Sequence, residues 1–110
     1  MARQFRRIAQ WRRYVEPVLE AVRREAPRGT RVYLVGSVAE GTFTAESDVD
    51  LLVVVPGEWG SRELRGLRRR LLERAWELGL PWDYPVDLIV LDEPRAEVFL
   101  RSAGRRLRLL

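Results

Sequence analysis

The sequence contains no cysteine, histidine, lysine or asparagine among its 110 residues. Each absence removes a class of chemistry. Without cysteine there is no disulfide framework, thiolate nucleophile or Cys-based zinc or iron–sulfur site, and without histidine the usual zinc constellations and every His-based triad also fall. Without lysine, Schiff-base chemistry and the lysine-dependent phosphate loop are excluded. Long apolar runs are missing too. The longest, Leu51 to Val55, is far too short to span a bilayer, and the arginine-rich N-terminus is not followed by an apolar signal region. These features predict a cytoplasmic protein with no membrane attachment. The ionisable side chains that remain near neutral pH are carboxylates and guanidiniums, and guanidinium does not deprotonate in practice. Any catalysis therefore falls to Asp or Glu, and any bound metal is expected to be a hard, oxygen-loving cation such as Mg²⁺.

What is present fits one domain spanning residues 1–110. Twenty arginines against sixteen acids leave a net charge of +4. The arginines are spread over Arg3 to Arg31, Arg62 to Arg74 and Arg95 to Arg108, interleaved with acids and leucines. That pattern reads as solvated helix faces rather than a nucleic-acid groove. The stretch Arg105-Arg106-Leu107-Arg108-Leu109-Leu110 is the one candidate for a partner-binding tail, and its apolar residues suggest a homo- or hetero-oligomer.

Along the chain, helical and extended patterns alternate. Residues 2 to 26 carry Phe5, Ile8, Val15, Val18, Leu19 and Val22 at helical spacing, with Pro17 expected to kink the helix or start a second one. Val32 to Val35 and Val49 to Val55 read as buried strands, the second closed by Pro56-Gly57. Ser61 is expected to cap a helix running to about Leu78, with Leu64, Leu67, Leu71 and Ala75 on its inner face. Val86 to Leu91 reads as a third strand, and Asp92 as the cap of a last helix through about Ser102. The four tryptophans read as core or interface packing, with Trp59, beside Gly60, the most mobile. The order α-β-α-β-α-β-α predicts an α/β or α+β sheet domain.

The chemistry concentrates between residues 35 and 50 and returns at 87. Asp48 and Asp50 stand two apart at the start of a strand, which places both carboxylates on one face. Two crowded anions repel unless a cation bridges them, so the pair points to a divalent metal. Asp87 joins the same face if its strand lies beside that of Asp50. Asp83 sits in a turn sequence, Pro81-Trp82-Asp83-Tyr84-Pro85, and is the weaker choice for a third ligand. Upstream, Gly36 lets a ligand approach the backbone, Ser37 adds a hydroxyl, and a turn into a helix offers free N–H groups to phosphate. A phosphate-binding turn beside a carboxylate pair is suited to phosphoryl or nucleotidyl transfer, in which two metal ions about 4 Å apart stabilise the attacking and leaving oxygens.

Gly36-Ser37-Val38-Ala39-Glu40-Gly41, then Ser47-Asp48-Val49-Asp50-Leu51, then Asp87 resemble the DNA polymerase beta-like nucleotidyltransferase superfamily, in particular its minimal nucleotidyltransferases, over about residues 17 to 103. The resemblance implies a small mixed β-sheet flanked by helices. It implies that Asp48, Asp50 and Asp87 bind two Mg²⁺ ions, with Asp87 helping to activate the acceptor hydroxyl. Gly36 and Ser37 would hold the β- and γ-phosphates of ATP or another NTP. Minimal members act as antitoxins that AMPylate a tyrosine of a helical HEPN partner, and the same role is expected here. The alternatives are a non-catalytic antitoxin or interaction module, and the catalytic subunit of a two-chain enzyme that modifies a small molecule. Many minimal members carry arginine where this chain has Val38 or Glu40.

Overall fold

The computed structural model describes residues 2–102 and 107–110, with side chains from residue 5 onward. Helices α1 (Ala2–Ala9) and α2 (Trp11–Glu25) lead into strand β1 (Arg31–Val35), and the five-residue helix α3 (Gly36–Glu40) precedes β2 (Val49–Val55). Helix α4 (Ser61–Glu77), strand β3 (Val86–Asp92) and helix α5 (Glu93–Ser102) follow, and β4 (Arg108–Leu109) ends the chain. The four strands form one mixed sheet in the order β3-β2-β1-β4, with β1 antiparallel to β2 and to β4, and β2 parallel to β3. The α/β architecture with a small mixed sheet flanked by helices is therefore the one expected, enlarged by one helix and one strand.

Two apolar layers explain this arrangement. β2 is central and buried on both faces, which is why it reads as an unbroken run of Leu and Val rather than an alternation. On one face Val49, Leu51, Val53 and Val55 pack with α2 and α4 through Val15, Val18, Leu67 and Leu71. On the other, Leu52 and Val54 pack with Ala96, Phe99 and Leu100 of α5. Among the described residues no helix is long and apolar enough to cross a membrane.

Three local expectations need correction. The N-terminal helix breaks at Gln10, not at Pro17, which lies inside α2. Proline removes one helical hydrogen bond there, but Trp11 and Val15 before it and Val18, Ala21 and Val22 after it are all buried on one stripe, and that packing holds the helix through. Helix α4 is capped by Gly60 rather than Ser61, its free N–H satisfied by the Glu63 carboxylate at 2.8 Å. The C-terminal residues are not a free tail where they are described. Arg108 and Leu109 pair with Leu34 and Tyr33, and the Leu110 N–H donates to the Val32 carbonyl at 2.9 Å, so they cover an edge that β1 would otherwise expose. Arg105 and Arg106 lie outside the described residues. At the other edge of the sheet the Arg68 guanidinium donates to the Leu88 carbonyl of β3 at 2.7 Å.

Trp59 is also held rather than mobile. Its indole N–H donates to the Pro56 carbonyl at 3.0 Å and its backbone N–H to Asp92 at 2.9 Å. Trp11 and Trp59 pack as expected, whereas Trp76 and Trp82 are exposed. Asp92 is 2% exposed and does cap α5, accepting the Arg95 N–H at 3.1 Å as well as the Arg95 guanidinium at 2.8 Å. The Trp59 N–H, above all, and the contacts with Arg95 hold its carboxyl below the ordinary range. Its contribution to stability is thus present above the unfolded carboxylate value and lost as the pH falls below it. Asp92→Ala is expected to lower the melting temperature by several degrees and Asp92→Asn by less, as read by calorimetry at neutral pH, because alanine leaves the backbone N–H groups of Trp59 and Arg95 without a partner.

Candidate active site

The three aspartates predicted from the sequence meet at one end of the sheet. Asp50 is the second residue of β2, Asp87 the second of β3, and the parallel register pairs them directly. Neighbouring strands lie about 4.8 Å apart, so the two side chains rise next to each other. Asp48 stands one residue before β2 and shares the parity of Asp50. All three occupy the sheet face that α5 covers further along, beyond Leu52 and Ile89, and α5 leaves the end that carries the carboxylates uncovered. Asp48 and Asp87 are exposed and Asp50 is half-buried. The cavity of about 450 Å³ between the end of α2 and the start of β1 lies at the opposite end of the sheet and takes no part in this cluster.

The cluster is electrostatically strained. Burial, and then the charges of Asp87 and Asp48, push the Asp50 carboxyl above its ordinary value. Among the described residues no three acidic side chains stand close enough together, as placed, to hold one metal ion. The donor set is nevertheless of the right kind. It consists of carboxylate oxygens alone, which suits Mg²⁺.

Gly36 forms the wall of this cluster. β1 pairs Val35 with Asp50, so the chain leaves β1 directly over the Asp50 carboxylate. A Cβ at Gly36 would collide with Asp50 Oδ2 and lie 3.2 Å from its Cγ, and the backbone here has φ +76°, which favours glycine. The next residues form the single turn of α3, whose first N–H groups have no partner within the helix. Ser37 is half-buried, and its hydroxyl donates to Ser47 Oγ at 3.3 Å.

Ser47, quoted in the sequence motif but given no role of its own, takes one in the structure. Its Oγ accepts the Thr44 N–H at 2.8 Å as well as the Ser37 hydroxyl, and it immediately precedes Asp48. It therefore ties the turn after β1 to the loop that presents the first aspartate. Its signal in the sequence was its place in that motif, beside Asp48. Asp83 lies in a turn as expected and pairs with Arg7 at 3.2 Å. Val38 is uncharged and buried and Glu40 is an exposed anion, so neither supplies a cation to the turn.

Comparison with known proteins identifies the family and the fold. A family model described as the nucleotidyltransferase domain matches residues 15–102. No curated protein matches the chain. A solved structure of a candidate nucleotidyltransferase from Sulfolobus solfataricus is similar in fold, with TM-score 0.68 and 23% identity over 96% of this chain and 84% of that one. A second candidate nucleotidyltransferase has TM-score 0.51 and 24% identity, covering 92% of this chain and 97% of that one. A chain from a toxin-antitoxin structure with AMP-PNP has TM-score 0.45 and 27% identity, covering 80% of this chain and 58% of that one. The sheet, the turn at Gly36 and a family match spanning all three aspartates together show that the chain belongs to the nucleotidyltransferase domain family, of the DNA polymerase beta-like kind.

Proposed function

We propose that this protein is a Mg²⁺-dependent nucleotidyltransferase that moves a nucleoside monophosphate, AMP from ATP, to a hydroxyl of a protein partner. The partner of this reading is a helical HEPN-like toxin, the acceptor is one of its tyrosines, and the chain acts as the antitoxin. The observation that carries the proposal is the meeting of Asp48, Asp50 and Asp87 on one uncovered end of the sheet, beside the glycine turn after β1. Family membership supports the reaction type. The choice of AMP and of the partner rests on resemblance to the minimal nucleotidyltransferases.

In this reading Asp48, Asp50 and Asp87 hold Mg²⁺, which when bound offsets phosphate charge and lowers the proton affinity of the acceptor hydroxyl. Exposed Asp87 takes the proton of that hydroxyl. The backbone at Gly36 and the Ser37 hydroxyl orient the β- and γ-phosphates, which requires the hydroxyl to turn from Ser47 toward the nucleotide. The acceptor oxygen then bonds to the α-phosphorus while the bond to pyrophosphate breaks. An open carboxylate face, rather than an enclosed pocket, supports a macromolecular acceptor. Trp82, 84% exposed in the loop that leads to Asp87, offers such a partner an apolar contact.

The test incubates the chain with α-labelled ATP, Mg²⁺ and a candidate helical partner, and follows pyrophosphate release and the intact mass of the partner. The expected result is one AMP per tyrosine modified, with equimolar pyrophosphate. A stable complex without transfer would overturn the catalytic reading and leave a binding-only antitoxin.

A further inference from the structure

The nucleotidyltransferase match begins at residue 15, and α1 lies wholly before it. This helix is nonetheless anchored, since Ile8 is fully buried in the main core. On one side of Ile8 the Phe5 ring stacks on Phe43, with centroids 5.4 Å apart and planes at 26°. On the other, the Arg7 guanidinium donates to both oxygens of Asp83, at 3.2 and 3.4 Å, and the Arg7 carbonyl accepts the Tyr84 hydroxyl at 3.0 Å. Burial pushes the Tyr84 hydroxyl up to about 12, so it stays protonated and remains a donor. Its ring also stacks on Tyr14 at 4.2 Å.

These contacts land on two loops. Phe43 belongs to the loop that ends in Asp48, and Asp83 and Tyr84 to the loop that leads into β3, whose second residue is Asp87. The β2–β3 ladder begins here, with the Val49 N–H, between Asp48 and Asp50, donating to the Pro85 carbonyl at 2.8 Å. We propose that α1, which packs on the sheet face opposite the carboxylates, straps together the segments before β2 and β3, with Phe5 and Arg7 acting as positioning residues that fix Asp48 relative to Asp87. The physical need is clear. Asp50 and Asp87 are placed by strand pairing, but Asp48 lies outside β2 and Asp87 sits near the end of an edge strand. Strand ends open most easily, and three like charges gain by spreading. A helix fastened to both loops opposes that spreading without touching the reacting groups.

The inference rests on the reading of the cluster as a metal site, and the experiment separates the two. Mn²⁺ alone is titrated into the full chain and followed by electron paramagnetic resonance. The wild type is compared with Phe5→Ala, Arg7→Ala, Asp83→Ala, the double variant Arg7→Ala/Asp83→Ala and the charge exchange Arg7→Asp/Asp83→Arg, all well below their melting temperatures. Each single variant is expected to bind Mn²⁺ about three- to tenfold more weakly. The double variant is expected to be no worse than the weaker single one, and the charge exchange to recover much of the loss. A merely structural role would lower the melting temperature without moving Mn²⁺ affinity. Variants that bind as tightly as the wild type, or losses that add without rescue, would overturn the strap. A wild type that binds no Mn²⁺ would overturn the metal-site reading, and the strap with it.

Discussion

Asp50→Asn is expected to reduce nucleotidyl transfer by about three orders of magnitude, roughly 4 kcal/mol of transition-state stabilisation, while leaving the chain folded and slightly more stable. Asn keeps the shape of Asp but removes a charge from the centre of the cluster, the one position flanked by both other aspartates. No hydrogen bond to the Asp50 side chain exists among the described residues, so none is lost. Stability should rise by less than about 1 kcal/mol, since the side chain is only half-buried and water screens part of the repulsion. The pH dependence follows from the same shift. Burial, Asp87 and Asp48 raise the Asp50 carboxyl in the folded state, so between the unfolded and folded values the native protein holds more protons than the unfolded chain. Metal-free wild type should therefore lose stability as the pH rises through the raised value and regain it on acidification. The variant should lack that step. Melting curves across pH, run beside a transfer assay, check both parts. A variant that unfolds, or that transfers at the wild-type rate, would count against the assignment.

Gly36→Ala should damage both fold and site. A left-handed backbone at φ +76° costs a non-glycine residue about 1–2 kcal/mol, and the new Cβ must displace the Asp50 carboxylate. A displacement on the order of 1 Å at a reacting centre costs about 10²-fold in rate. The expected outcome is a transfer rate down by about two orders of magnitude with a stability loss of about 1–3 kcal/mol. Gly41→Ala is the matched control, because Gly41 has the same φ of +76° and nothing within 4 Å of its Cβ position. It should lose similar stability and keep its activity. Denaturant titration and transfer assays on both variants decide the matter, and equal loss of activity in the two would remove Asp50 from the explanation.

The parts of this protein that were legible in its sequence are those with a local cause. β2 shows itself as a continuous apolar run, α4 as Leu64, Leu67, Leu71 and Ala75 at helical spacing, and the Asp92 cap as an acid before Glu93-Pro94. The aspartate pair and the glycine turn are likewise short motifs. The placement of Asp87 beside Asp50 was conditional on strand order, which the parallel register of β2 and β3 supplies. What escaped depends on distant partners. The bond between Arg7 and Asp83 joins residues 76 apart, Trp59 is held by Asp92 from 33 residues away, and β4 exists because β1 offers it an edge. Pro17 misled because its local cost is outweighed by buried side chains on both sides of it.

In the proposed reading Asp50 and its two neighbours form a metal-dependent nucleotide site. The most direct measurement is calorimetric titration of a non-hydrolysable ATP analogue into the wild type and Asp50→Asn, each with and without Mg²⁺. Binding by the wild type that requires Mg²⁺, and its loss in the variant, is the expected result. Binding that ignores Mg²⁺, or that survives the substitution unchanged, would contradict it.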